Sequence, residues 1–115
     1  MKVKLKILLT ARNGEPFMGI GLVWLLERIK KLNSISGAAR DMRMSYAKAH
    51  NILKRLEKHL GRKVLIRRRG GSDRGGAQLT QFAETFLTRY DDYQAGVKKF
   101  AEKEFTGFLK AVKKL

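Results

Sequence analysis

Two helical hydrophobic patterns joined by a short polar turn, a basic strand-like segment and a glycine-rich loop follow one another between Ser34 and Thr80. That order predicts a mainly α protein of α+β class, a winged helix-turn-helix. An alternating segment before it and a long apolar-striped segment after it add an N-terminal β-hairpin and a C-terminal dimerisation helix. The expected division is residues 1–79 for the winged helix-turn-helix and 80–115 for the terminal helix, within one domain.

From the N-terminus, Val3 to Leu9 alternates apolar and lysine residues before turning wholly apolar, which reads as a strand with one buried face. Asn13-Gly14 is a strong hairpin signal because both residue types tolerate positive φ, and Glu15 to Met18 supplies the short return strand. Gly19 and Gly21 mark a corner. Leu22, Leu25, Leu26 and Ile29 then form a helical stripe over Leu22 to Leu32, with Trp24 beside it as a packing residue.

Asn33 and Ser34 break that helix, and Ser36 is expected to cap the next, Gly37 to Met42. Ala38 and Ala39 are small enough to let two helices approach closely, and Arg43-Met44 makes the turn. Ser45 caps the second helix of the motif and Gly61 ends it through a left-handed conformation. Ala49, Leu53, Leu56 and Leu60 recur at spacings of four and three, so they share one face. The opposite face carries Ala47, His50, Asn51, Lys54 and Lys58, with Tyr46 and Arg55 at its borders. An apolar inner stripe with a basic, hydrogen-bonding outer face is what a helix in a major groove requires.

Lys63 to Ile66 has strand composition, and Arg67, Arg68 and Arg69 follow at once. Gly70 to Thr80 contains Gly70, Gly71, Gly75 and Gly76, so it can bend sharply and approach another backbone closely. With Arg74 inside it, this loop reads as a wing laid along phosphates or a minor groove. An enzymatic phosphate loop is disfavoured, since neither a Gly-Lys-Ser/Thr ending nor Gly-x-Gly-x-x-Gly spacing is present. Gln78 and Leu79 form the returning strand, and Thr80 caps the last helix. Its stripe runs Phe86, Tyr90, Tyr93, Val97, Phe100, then Phe105, Phe108 and Val112. A helix of about 30 residues reaches roughly 45 Å, more than one small domain can shelter, which predicts a homodimer. Gly96 and Gly107 are expected to interrupt it, and Lys110 to Leu115 to fray.

Composition narrows the partner. The 115 residues include 26 Lys and Arg against 10 Asp and Glu, a net charge of +16, and 43% hydrophobic residues. Such self-repulsion calls for a polyanion, while the apolar content provides a core. There is no cysteine, only His50 and His59 as histidines, and no paired carboxylates in a cleft-like context, so neither a cofactor, a metal site nor an enzyme is expected. No apolar run approaches the roughly 18 residues that span a bilayer, and the N-terminus has no signal-peptide pattern, so no membrane partner and a cytoplasmic location are expected.

Ser34-Ile35-Ser36-Gly37-Ala38-Ala39, Met44-Ser45-Tyr46-Ala47-Lys48-Ala49, the Arg-Gly-Gly run and Gly-Gly-Ala-Gln-Leu-Thr up to Thr80 carry a resemblance. So spaced, they are similar to the amino-terminal DNA-binding domain of the ModE family of molybdate-responsive regulators, itself similar to the winged helix-turn-helix of LysR-type regulators. The resemblance implies a two-fold dimer joined partly through the terminal helix. It also implies that the helix starting near Ser45 enters the major groove, with Ser45, Tyr46, Ala47 and Lys48 at its entrance and Gly70, Gly71, Gly75 and Gly76 in the wing. His50 stands where that family usually has tryptophan, which implies a different base preference. Nothing in the sequence resembles an oxyanion-binding domain, so the resemblance implies DNA binding rather than molybdate sensing.

The expected function is sequence-specific transcriptional regulation by a homodimer on double-stranded DNA, with any small-molecule effector left open. Ser34, Ser36, Ser45, Tyr46, Ala47, Lys48, His50, Asn51, Lys54, Arg67, Arg68, Arg69 and Arg74 are the candidate contacts. Among them Tyr46, Ala47, His50 and Asn51 are placed toward base edges, Asn51 being suited to adenine. For Ser34 and Ser36, simple helix capping is the equal alternative to phosphate contact. The competing reading is an architectural DNA-binding or RNA-binding protein that uses the same charge without base readout.

Overall fold

A computed structural model describes residues 1–67 and 76–115. The chain opens with an antiparallel hairpin of β1 (Leu9–Thr10) and β2 (Pro16–Met18). Of the Asn13-Gly14 pair only Gly14 takes positive φ, at 88°, and the turn is tied by Ala11 and Glu15 backbone bonds and by the Glu15 N–H donating to Asn13 Oδ1 at 2.9 Å. The strand expected over Val3 to Leu9 is therefore far shorter than its alternation promised. Alternation describes a two-faced extended chain, but a strand also needs a partner edge, and β2 offers only three residues. Ile7 instead meets the third turn of the terminal helix, where the Tyr90 hydroxyl donates to its carbonyl at 3.5 Å.

Helix α1 (Ile20–Leu32) buries Leu22, Val23, Leu25, Leu26 and Ile29, the expected stripe with one addition. It ends at Asn33, whose left-handed φ of 54° lets its N–H bond Ile29 O at 2.7 Å. Helix α2 (Ile35–Asp41) starts two residues earlier than expected. Ser34, not Ser36, is the cap, its hydroxyl accepting the Gly37 N–H at 2.9 Å, while Ser36 lies inside the helix. The reason is tertiary: Ser34 is bridged to Gly76, and the Ala77 N–H donates to Asn33 O at 3.1 Å, which holds this corner extended. Helix α3 (Tyr46–Leu60) begins and ends on the expected residues, with Ser45 accepting from the Lys48 N–H at 3.1 Å and Gly61 at φ 68°.

Strands β3 (Leu65–Arg67) and β4 (Ala77–Leu79) pair antiparallel, Leu65 opposite Leu79 and Arg67 opposite Ala77, and form the base of the wing. Helix α4 (Gln81–Lys113) follows, capped by Thr80, which accepts the Ala83 N–H and donates to Lys63 O. It is one uninterrupted helix. The glycine penalty of about 1 kcal/mol each is not enough to break so long a cooperative segment, and neither Gly96 nor Gly107 meets a neighbour that would force a bend. The helix likewise persists through Lys113 where fraying was expected.

One core joins these parts. Leu25, Leu26 and Ile29 of α1, Ile35, Ala38 and Ala39 of α2, Ala49, Leu53 and Leu56 of α3, Val64, Leu65, Ala77 and the first three turns of α4 through Tyr90 pack together. Beyond Tyr90 the helix projects from this body, giving overall extents of 67 × 28 × 24 Å. No helix among the described residues is long and apolar enough to cross a membrane.

Candidate nucleic-acid interface

The interface is built on α3. Burying Ala49, Leu53 and Leu56 fixes the rotation of the helix, so the residues between them must face away. Tyr46, Ala47, Lys48, Asn51, Lys54 and Lys58 are exposed, and His50 is half-buried. α2 holds α3 from behind. Ala38 is fully buried and Ala39 nearly so, and the turn between the helices is closed by the Met44 N–H donating to Ala39 O at 2.9 Å. Arg43 bends that turn by adopting φ 57°, a conformation that costs a side-chain-bearing residue roughly 1–2 kcal/mol.

Ser45 is exposed, with its hydroxyl engaged as the cap of α3. The two α2 serines are placed differently. Ser34 is 8% exposed and its hydroxyl is already bonded to Gly37 N–H, so capping accounts for it, and Ser36 is half-buried in the first turn. Neither stands on the exposed face that α3 presents. Arg67 is exposed at the end of β3. Arg68, Arg69, Arg74 and the wing glycines Gly70, Gly71 and Gly75 lie outside the described residues.

Three side chains from two elements meet at the start of α3. The Arg67 guanidinium lies with Nη1 3.4 Å from the Tyr46 hydroxyl and Nη2 3.0 Å from His50 Nδ1. Tyr46 and His50, one turn apart, have near-parallel rings with centroids 6.0 Å apart. This pairing could not be read from the sequence, where Arg67 is only one of three consecutive arginines.

The other end of α3 is braced by the hairpin. Glu15 binds Arg55 Nε at 2.8 Å, and Phe17 stacks on His59 at 4.7 Å, which gives that histidine a packing role. A shallow groove lined by Glu15, Asn51, Lys54, Arg55 and Lys58 separates the hairpin from the outer face of α3. On the inner side Glu57 accepts the Val64 N–H at 2.9 Å and fixes where β3 leaves the helix. Arg62 sits 4.5 Å over the Phe82 ring, joining that exit to α4. Among the described residues no cluster of three or more His, Asp or Glu side chains could hold a metal ion.

Charge is distributed unevenly. In α4 the bases Arg89, Lys98, Lys99, Lys103, Lys110 and Lys113 nearly balance Glu84, Asp91, Asp92, Glu102 and Glu104, so almost all of the net +16 lies upstream of it. The α4 sequence is thus nearly neutral, the N-terminal segment with Lys2 and Lys4 lies beside it near Lys98 and Glu102, and most of the remaining positive charge belongs to the compact body.

Known proteins are similar to this chain in sequence or fold. The chain is 37% identical over 87 residues to the transcriptional regulator ModE of Haemophilus influenzae, an alignment spanning 75% of this chain and 34% of that protein. It is also 37% identical over 82 residues to the molybdenum-pterin-binding protein MopB of Rhodobacter capsulatus, covering 71% of this chain and 30% of that one. The chain therefore spans about a third of the length of these relatives. Among solved structures, the DNA-binding domain of CbnR in its complex with DNA matches with a TM-score of 0.58 at 17% identity, over 78% of this chain and 98% of that one. A probable transcriptional regulator from Pseudomonas aeruginosa matches with a TM-score of 0.51 at 19% identity, over 73% of this chain and 26% of that one. These likenesses place the fold among winged helix-turn-helix domains. The family model of the bacterial regulatory helix-turn-helix proteins of the lysR family matches residues 22–84, and the chain belongs to that family.

Proposed function

We propose that this protein is a sequence-specific DNA-binding transcriptional regulator that acts as a homodimer on double-stranded DNA in the cytoplasm. The observation that carries the reading is the outer face of α3. A capped helix with a fixed rotation presents Tyr46, Ala47, Lys48, His50, Asn51 and Lys54 together, on the cationic side of the molecule. Side chains on the first turns of such a helix reach base edges, and Asn51 has the donor and acceptor pair that matches adenine. Ser45, Lys48 and Lys54, with Arg68, Arg69 and Arg74 of the wing sequence, supply phosphate contacts and the salt dependence that accompanies them.

The dimer follows from α4. Tyr93, Phe100, Phe108 and Val112 are exposed along α4 beyond the reach of the core, and the near balance of charge within α4 itself limits the repulsion between two such helices. Two compact bodies joined in this way read two half-sites related by the same two-fold axis. Selection from a random duplex pool tests the reading. It predicts an inverted repeat, bound at physiological salt far more tightly than random duplex or structured RNA. Equal affinity for all three would assign the charge to architectural binding instead.

A further inference from the structure

The meeting of Arg67, Tyr46 and His50 is more specific than the surface around it. A guanidinium has five N–H donors and no acceptor, so His50 Nδ1, 3.0 Å from Nη2, must be an unprotonated acceptor. The imidazole is then neutral with its proton on Nε2. Tyr46 Oη accepts from the other terminal nitrogen of the same guanidinium. Arg67 leaves β3, where its backbone pairs with Ala77, and is held across the first two turns of α3 rather than extended along the wing.

Among the described residues two of its donors are occupied and the others have no partner, at the end of α3 that reaches base edges. A planar fork so held matches O6 and N7 of guanine, the commonest bidentate contact in a major groove. We propose that Arg67 is a specificity-determining residue that reads a guanine, and that His50 and Tyr46 are the positioning residues that hold its guanidinium for that contact. Although Arg67 belongs to the wing strand, it acts as part of the recognition helix. The assignment rests on the reading that α3 enters a DNA groove.

Substitutions at these surface positions separate the two roles. Arg67→Lys keeps the charge but loses the fork. His50→Leu removes the acceptor, whereas His50→Asn restores one near the place of Nδ1. Selection from a random duplex pool with each variant should show a guanine common to the half-sites of the wild type and His50→Asn. Arg67→Lys and His50→Leu should lose about ten- to a hundredfold of the preference for that guanine. Retention of the guanine by Arg67→Lys, or an affinity loss equal for all sequences, would make Arg67 a phosphate contact and overturn the assignment.

Long-range imidazole 1H–15N spectra of the free protein give an independent reading. His50 should show the Nε2–H tautomer with an Nδ1 resonance that moves in Arg67→Ala, and an unmoved resonance overturns the positioning role. If the wild type enriches no sequence, the proposed function fails and the guanine assignment with it. If it enriches a site whose guanine survives Arg67→Lys, only the assignment fails.

Discussion

Replacing both Phe100 and Phe108 by alanine should convert the proposed dimer to a monomer without disturbing the protomer. The two rings are 63% and 61% exposed and lie on α4 beyond the compact body. Complete burial of a phenylalanine is worth about 1.5–3 kcal/mol, so covering the exposed share of each contributes roughly 1–2 kcal/mol. A two-fold dimer contains two copies of each ring, and the four rings together contribute roughly 4–7 kcal/mol to association. The dissociation constant should therefore rise by about three to five orders of magnitude, at 1.4 kcal/mol per factor of ten. Alanine is the strongest helix former, so the helical content of the variant should equal or exceed that of the wild type. Sedimentation equilibrium over a range of concentrations measures the constant, and far-UV circular dichroism checks the helix. A wild-type protein that remains monomeric at tens of micromolar, or a double variant that dimerises as tightly as the wild type, would refute the reasoning.

Three further outcomes concern the protomer. Glu57→Ala strands the N–H of fully buried Val64, which should cost about 1–3 kcal/mol and lower the melting temperature by roughly 4 °C per kcal/mol at fixed protein concentration; Glu57→Gln, which keeps an acceptor, should lose less than half as much. Burial, reinforced by the neighbouring Tyr93 hydroxyl, raises the Tyr90 phenol above its usual 10.0, so the folded state holds its proton longer than the unfolded chain does. The associated stability is complete below pH 10.0 and is lost as pH rises through the folded value, and in alkaline denaturant titrations Tyr90→Phe should flatten this decline. Arg43→Gly should relieve the left-handed turn and, after the greater flexibility of glycine in the unfolded chain is allowed for, raise stability by about 0.5–1 kcal/mol in urea unfolding.

How far the sequence could be read follows from the range of the interactions concerned. The limits of α3 were legible because both are local: Ser45 needs only the N–H of Lys48, and Gly61 needs only its own freedom at φ 68°. The stripe of Ala49, Leu53 and Leu56 was legible because helical period alone puts those residues on one face. The choice between Ser34 and Ser36 was not local. Both serines lie within reach of a helix start, and the bridge to Gly76, far along the chain, decides which residue stays extended. The shortness of β1 has the same origin, since a strand is completed by an edge that its own residues do not encode. At Gly96 and Gly107 the penalty is local and visible in the sequence, whereas the cooperativity of a helix 33 residues long that outweighs it is not.

For the candidate site, the same division separates the residues of α3 from Arg67. The exposed face of a helix is written in one segment, so Tyr46, Lys48, Asn51 and Lys54 could be grouped before any fold was known. The guanidinium of Arg67 reaches that group from 17 residues beyond His50, through the exit of the chain that Glu57 fixes at Val64 and the pairing of Leu65 with Leu79. In a run of three arginines nothing local distinguishes the first. What distinguishes it is register: β3 ends at Arg67 opposite Ala77, close enough to α3 for its side chain to cross to Tyr46 and His50. A change in that pairing would move the guanidinium while leaving every residue of α3 in place. If Arg67 reads a base as proposed, base preference depends on the register of β3 with β4 as well as on the outer face of α3.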